Sequence, residues 1–215
     1  MRLNQFIAKT TDLSRRNADQ AIADGRVLVN SIPAIIGQII NEKDIISLDG
    51  NNLEVDVRPK TIMLNKPYGY VVSRDGQGSK TIYELLPPEL SNLKPIGRLD
   101  RNSTGLLLLT NDGALNQMLS HPSNQKLKIY KILIDKPLTD EDKRKIESGV
   151  ELEDGYSRLG LLGGEQKWQV SMSEGRNRQI RRTFDELGYR VINLHRKSFG
   201  DYELEDLESG SWIFV

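Results

Sequence analysis

The sequence contains no cysteine. That excludes a disulfide framework and any thiolate metal site. Histidine is nearly as scarce. His121 and His195 stand far apart with no ligand spacing between them, so no metal centre is expected. No apolar run approaches the roughly 20 residues that a bilayer span needs. The start, Met1-Arg2-Leu3-Asn4-Gln5, has no signal-peptide apolar region, so the expectation is a cytoplasmic chain with no membrane partner. The glycines of Asp75-Gly76-Gln77-Gly78-Ser79 have neither P-loop nor Rossmann spacing, which argues against nucleotide binding. No Gly-x-Ser-x-Gly elbow is present. Neither sign of charge is in excess: 30 Lys and Arg balance 30 Asp and Glu.

Local charge is less even. Arg176, Arg178, Arg181, Arg182, Arg190, Arg196 and Lys197 fall in one stretch, and an acidic tail with Asp201, Glu203, Glu205, Asp206 and Glu208 follows. A neutral total can therefore conceal a basic face. At 215 residues the chain has room for one large domain, or for a small one and a medium one.

The first residues read as two short helices. Leu3, Phe6 and Ile7 recur at helical spacing. Ser14 is placed to cap a second helix from Arg15 to about Ala23, and Gly25 stops it. Short strands are expected at Val27–Ile32, near Ile35–Ile36 and at Ile45–Leu48, with a turn at Asp49-Gly50-Asn51. Arg2, Lys9, Arg15, Arg16 and Arg26 in this region fit either a solvated surface or a phosphate-contacting face. Arg2-Leu3-Asn4, Ser14-Arg15-Arg16-Asn17-Ala18 and Gly25-Arg26-Val27-Leu28-Val29-Asn30 together resemble the S4 RNA-binding domain. Ser31 departs from it, because family members usually carry glycine there. A linker is expected around Val57-Arg58-Pro59-Lys60, since Pro59 favours an extended residue before it.

Beyond the linker, strands are expected at Thr61–Leu64, Tyr70–Ser73, Leu106–Leu109, Lys128–Ile134, Trp168–Met172 and Val191–His195. Leu106 to Leu109 does not alternate, so it reads as a strand buried on both faces. Helices are expected at Ile82–Leu86, at Ala114–Leu119 with Leu115, Met118 and Leu119 inward, and at Thr139–Ser148, where Thr139 begins a capping box. A further helix starts at Asn177 or Arg178 and buries Ile180, Phe184 and Leu187. Arg178, Arg181 and Arg182 form a stripe beside that face, with Arg181 best placed to reach inward.

The chemistry centres on Gly97-Arg98-Leu99-Asp100-Arg101, just before the leucine strand. One carboxylate stands between two guanidiniums. It reads either as a structural ion pair or as a carboxylate nucleophile beside a rigid sheet. A retaining glycosidase needs two carboxylates about 5 Å apart. An extended strand at roughly 3.3 Å per residue puts Asp112 far from Asp100, which excludes that pair. Tyr130, on one strand face with Ile132 and Ile134, is by itself read as core.

Four motifs in order then resemble the RsuA-type ribosomal-RNA pseudouridine synthases. They are Asn65-Lys66-Pro67-x-Gly69, then Gly97-Arg98-Leu99-Asp100 with Ser103-Thr104-Gly105-Leu106-Leu107-Leu108-Leu109-Thr110-Asn111-Asp112-Gly113, then Lys128-x-Tyr130, and Glu174-Gly175-Arg176-Asn177-Arg178-Gln179-Ile180-Arg181-Arg182. Thr183 is a small departure, since many relatives have methionine there. The resemblance implies an α+β fold: an S4 (αL) domain over residues 1–58, then a synthase domain over 60–215 whose mixed, largely antiparallel sheet is flanked by helices. It implies conversion of uridine to pseudouridine in ribosomal RNA without metal or organic cofactor. Asp100 matches the catalytic aspartate. Arg181 matches the arginine that pairs with it, and Tyr130 the residue that stacks on the uracil and takes the C5 proton. Arg2, Lys9, Arg15, Arg16, Arg26, Asn30, Lys66, Arg98, Arg176 and Arg178 are the expected RNA contacts. Ile180 and Leu99 are candidate pocket walls. The Glu174–Gln179 form is closer to the large-subunit members, with small-subunit RNA as the alternative, and a monomer is expected. Two other readings stand beside this one: a non-catalytic ribosome-assembly factor and a nucleoside hydrolase. The intact Asp100, Tyr130 and Arg181 argue against the first, and an RNA-docking front end against the second.

Overall fold

The unbroken leucine run lies inside a nine-stranded sheet, where both of its faces are covered. The computed structural model describes residues 1–53 and 58–215. Val57, in the expected linker, lies outside the described residues. The chain divides into two compact units, Met1–Pro59 with Pro88–Leu93, and Lys60–Pro87 with Lys94–Val215. The grouping of Pro88–Leu93 with the first unit differs from the sequence reading, which took everything after residue 60 as one domain.

The first unit contains helices α1 (Leu3–Thr10) and α2 (Arg15–Ala23) and a four-stranded sheet. Its strands are β1 (Val27–Val29), β2 (Ile32–Pro33), β3 (Ile46–Leu48) and β4 (Asn51–Asn52), in the order β2-β1-β3-β4. The Ser14 hydroxyl accepts from the Asn17 amide at 3.1 Å, as the cap predicts. Leu3, Phe6 and Ile7 from α1 meet Ala18, Ala21 and Ile22 from α2 over Val27, Val29 and Ile46. Ile35 and Ile36 do not form a strand. They sit at an exposed turn closed by Gly37, and the Ile35 amide donates to the Gln38 side chain.

The second unit holds β5 (Thr61–Lys66), β6 (Lys94–Pro95), β7 (Thr104–Thr110), α3 (Gly113–Ser120), β8 (Lys128–Ile134), α4 (Asp140–Ser148), β9 (Val150–Leu152), β10 (Gly155–Ser157), β11 (Gly160–Gly164), β12 (Lys167–Met172), α5 (Gln179–Glu186), β13 (Val191–Phe199), β14 (Tyr202–Glu203) and β15 (Trp212–Phe214). The large sheet runs β11-β12-β8-β13-β7-β5-β15, with β14 added to β13 and β6 to β7. It is mixed: β13 and β7 are parallel, and its other pairs are antiparallel. Leu106 and Leu108 pack with Met63, Ile96, Leu119, Phe199 and Leu204 on one face, while Leu107 and Leu109 are fully buried on the other. Asp112 does more than end the strand. Its carboxylate accepts from the amides of Ala114 and Leu115 and so caps α3.

The parallel seam depends on Gly105. A Cβ there would lie 2.3 Å from the Arg196 carbonyl oxygen, and its φ of +100° suits glycine. Only a bare backbone lets β13 approach β7 this closely.

Other expectations are corrected. Tyr70–Ser73 is not a strand; Val71 makes one bridge, to Thr81, within a polar loop. Ile82–Leu85 is a single 3₁₀ turn, because Pro87 and Pro88 leave no room for an α-helix. Met118 faces solvent, so α3 has a narrower buried face than expected.

Asn30 and Ser31 both adopt left-handed φ, 51° and 66°, and form the two-residue turn between β1 and β2. Such turns favour glycine at the second position, and a side chain there is strained. Ser31→Gly is expected to raise the unfolding free energy by about 0.5–1 kcal/mol, read from urea melts. A lowered midpoint would contradict this account of the turn.

Candidate active site

A cleft of about 840 Å³ opens in the second unit. Its walls come from the Gly97–Ser103 loop, Lys128 and Tyr130 at the start of β8, the Met172–Arg178 segment and the cleft-facing residues of β13. Asp100, Tyr130, Arg98, Leu99, Arg176, Arg178 and Ile180 all line it, so the structure brings these sequence candidates together. Arg181 and Lys66 lie behind the wall, not on it.

The Asp100 carboxylate is about one-third exposed. Its ion pair is with Nη1 of Arg178, at 3.6 Å. Arg98 and Arg101, its neighbours in sequence, make no ion pair with it among the described residues. Arg98 is exposed, and Arg101 Nε donates to the Gly69 carbonyl at 3.3 Å. Arg178 reaches Asp100 from a left-handed backbone, φ 48°, at the N-cap of α5. Non-glycine residues held this way carry strain and cluster at functional sites.

The expected pairing of Arg181 with Asp100 is corrected. Arg181 is buried; its Nη1 donates to the Val191 carbonyl at 2.6 Å and its Nη2 to the Asn102 carbonyl at 3.0 Å. Burial lowers its pKa first, the Arg178 charge lowers it further, and the Asp100 charge opposes both. Arg181 therefore acts on Asp100 through the loop backbone and through space.

Lys66 is also reassigned. It is fully buried at the end of β5 and cannot meet an RNA phosphate. Its Nζ donates to the carbonyls of Pro67 (3.0 Å), Arg101 (3.4 Å) and Ser103 (2.8 Å). Burial pushes its pKa down to about 8, against an opposing pull from Asp100. The amide of Gly69 also donates to Arg101, and that of Ser103 to Asp100. Every carbonyl from Asp100 to Ser103 thus accepts a hydrogen bond.

Arg176 is held within the protein too. Its Nη1 binds Asp154, through both carbonyl and carboxylate, and the Gly155 carbonyl, while Nη2 binds the Tyr156 carbonyl, all at 2.8–2.9 Å. Arg182 closes on the same Asp154 carboxylate. Gln179 ties the turn inward, with its amide nitrogen on Glu174 (2.5 Å) and Ser157 (3.1 Å). Buried Thr183 bonds to Ser157 at 2.7 Å, so the departure at 183 is matched by a hydroxyl partner. In the first unit, Arg26 makes a bidentate pair with Asp49, and Asn30 bridges Asp44 and the Ile45 amide. Arg2, Lys9, Arg15 and Arg16 are exposed.

Sequence reasoning missed Ser103, Gln179 and Arg196 as parts of the cleft. Arg196 shares the buried phase of β13 with Leu194, but register shifts on either side of that stretch hide the alternation. His195, partly buried, bonds Thr104 at 2.9 Å, and His121 bonds Ser123. No cluster of three or more His, Asp or Glu suited to a metal occurs among the described residues.

Residues 60–186 match the family model described as RNA pseudouridylate synthase. The chain is 35% identical to the ribosomal large subunit pseudouridine synthase B of Bacillus subtilis, over 97% of this chain and 89% of that protein. It is 33% identical to the ribosomal small subunit pseudouridine synthase A of Yersinia pestis, over 96% and 90% respectively. A crystal structure of a pseudouridylate synthase superposes with a TM-score of 0.72 at 30% identity, covering 100% of this chain and 96% of that one.

The Lys66 arrangement predicts a pH dependence. Unfolded, its ammonium keeps its proton to about 10.5; folded, it releases it near 8. Between those values the unfolded state binds more protons, so raising the pH favours the folded state. Relative to Lys66→Met, the native protein should gain on the order of 1–2 kcal/mol between pH 8 and pH 10. Urea melts of both proteins across that range test this. A gap that stays flat or shrinks would contradict it.

Proposed function

The chain belongs to the RNA pseudouridylate synthase family and is an isomerase, and we propose that it converts a uridine of ribosomal RNA, in the large subunit, with Asp100 as nucleophile. The relatives of Bacillus subtilis and Yersinia pestis are named as pseudouridine synthases of the ribosomal large and small subunit, which supports a ribosomal RNA substrate here. The Glu174–Gln179 motif favours the large-subunit choice. The observation that carries the mechanism is the Asp100 carboxylate on the cleft wall, with each backbone carbonyl around it bonded and Tyr130 lining the same cleft, while the other carboxylate there, Glu174, is tied to Arg176 and Gln179.

The reaction is internally balanced. An Asp100 oxygen bonds to C1′ of the ribose as the C1′–N1 bond breaks, and the electron pair leaves with the base. The base turns within the cleft, and C5 bonds to C1′ as the C1′–O bond to Asp100 breaks. A proton departs C5 toward the Tyr130 hydroxyl, and one is taken up at N1. No oxidant, reductant or leaving fragment is involved. The bound uridine must first leave its stack, at a cost of a few kcal/mol. Exposed basic groups contribute to that through phosphate contacts. In the first unit these are Arg2, Lys9, Arg15 and Arg16, on what we read as an S4-type RNA-binding domain. In the second unit Arg98, Arg101 and Arg178 are exposed at the cleft, Arg178 already paired with Asp100.

Asp100→Asn keeps the shape of the loop and removes the nucleophile. Pseudouridine formation in large-subunit RNA transcripts should fall by at least about 10⁴-fold. Affinity for the same RNA should stay within about threefold, since Asp100 contributes no phosphate contact. Chemical mapping of pseudouridine on the transcripts reads the first and filter binding the second. Substantial activity in the variant would refute the assignment of Asp100.

A further inference from the structure

The cleft wall itself holds a buried cation, which the steps above leave without a role. Arg196 lies on β13 and is 2% exposed, yet it lines the cleft. Its Nε donates to the Leu106 carbonyl at 2.7 Å. Its guanidinium carbon stands 5.1 Å from the centroid of the Phe199 ring. Nη2 is buried without a hydrogen-bond partner, and among the described residues no carboxylate pairs with the guanidinium. Buried charges are normally paired, and a buried donor without an acceptor is costly. The side chain is locked at one nitrogen and by one ring, with donors left over.

Position says what those donors face. In the antiparallel register of β8 and β13, Arg196 stands directly opposite Tyr130. Residues so paired share one face of the sheet. In the parallel register, Arg196 stands beside Gly105, which has no side chain to separate it from β7. Arg196 thus lies between the tyrosine assigned to the uracil and the strand that follows Asp100. Ser103, on the same wall, also has a buried hydroxyl without a partner. The other floor cation is already spent: Lys128 Nζ donates to the carbonyls of Lys126, Ser173 and Glu174, and burial lowers its pKa.

We propose that Arg196 is a catalytic residue that donates a hydrogen bond to a carbonyl oxygen of the target uracil and stabilises the negative charge the base acquires when the C1′–N1 bond breaks. This rests on the reaction proposed above. The departing electron pair delocalises from N1 onto the ring oxygens, and a fixed cation in a dry site is worth most where charge develops. A backbone phosphate is a poor occupant for the same donors. They lie at the floor, opposite the base-stacking residue, whereas exposed Arg98 is at hand for phosphates. Where the contacted oxygen is O4, the same contact rejects cytosine, whose amino group at that position cannot accept.

The test pairs protein and substrate changes in single-turnover reactions on large-subunit RNA transcripts. With the native protein, transcripts made with 2-thiouridine or with 4-thiouridine replace one carbonyl oxygen by a weaker acceptor. One of the two should slow conversion markedly. Arg196→Gln and Arg196→Lys should each slow the unsubstituted reaction by about 10²-fold. The same thio substitution should slow the variants no further, because the contact is already lost. RNA affinity and its salt dependence should not change. If neither thio substitution slows the native protein, the proposal is overturned, and that arm does not depend on how any variant folds. A shallower salt dependence in the variants, by about one counterion, would instead make Arg196 a phosphate contact. Additive losses from the variant and the thio substitution would make its role structural. If the native protein leaves unsubstituted transcripts unmodified, the reaction itself falls, and the role of Arg196 with it.

Discussion

Four consecutive peptide carbonyls, from Asp100 to Ser103, accept hydrogen bonds, and two of the groups that hold them are buried cations. That is the constraint on which the site depends. A short loop at the start of a strand would ordinarily leave such carbonyls to water. Here Lys66 and Arg181 are taken out of water, and the dipoles of this loop satisfy their charge. Removing a cation from solvent is costly, and it is tolerated only where the remaining bonds are supplied. The loop and its cations are therefore mutually dependent. The consequence is a carboxylate whose backbone has nowhere to move, with positive charge beneath it and Arg178 beside it. Preorganisation of this kind is what a nucleophile needs to meet a carbon at a fixed place.

The sheet carries the same logic outward. The leucine strand is buried on both faces, and its register against β13 is held by Gly105, which alone can sit against the Arg196 backbone. Gly105 lets β13 lie close against it, which brings Arg196 and Tyr130 into the cleft that Asp100 lines. Across the cleft, the Glu174–Gln179 turn is fixed by Asp154, which takes both Arg176 and Arg182. Its rigidity in turn places Arg178, in its strained conformation, at the carboxylate. Arginines that looked alike in the sequence thus divide into distinct tasks: a clamp on the turn, a partner for Asp100, and an anchor for its loop.

Much of this architecture was legible in the residues, for identifiable reasons. Caps at Ser14 and Thr139, the alternation at Trp168, Val170 and Met172, and the uniform leucine run are local signals that burial reinforces. Ile35–Ile36 misled because apolar character suggested a strand where Gly37 imposed a turn. Tyr70–Ser73 misled because one bridge is not a ladder. At the site, the motif residues converge on one cleft, but sequence spacing could not say which cation touches which group. Lys66 looked like a surface lysine, since nothing local reveals that a strand end is buried. Arg178 and Arg181 are three residues apart on one helical stripe, and only the entry angle of α5 decides which of them meets the carboxylate. Arg196 was illegible because irregular pairing broke the alternation that would have marked it as buried.

The central claim is that a single carboxylate on a pinned loop meets the ribose of an extruded uridine. A structure of the Asp100→Asn variant bound to a large-subunit RNA fragment carrying the mapped target tests it most directly. The account predicts the target nucleotide flipped into the cleft, with C1′ within about 3.5 Å of the side chain at position 100 and the base against Tyr130. A target uridine that stays stacked in its helix would contradict it. So would one bound in the cleft with its C1′ beyond reach of that side chain.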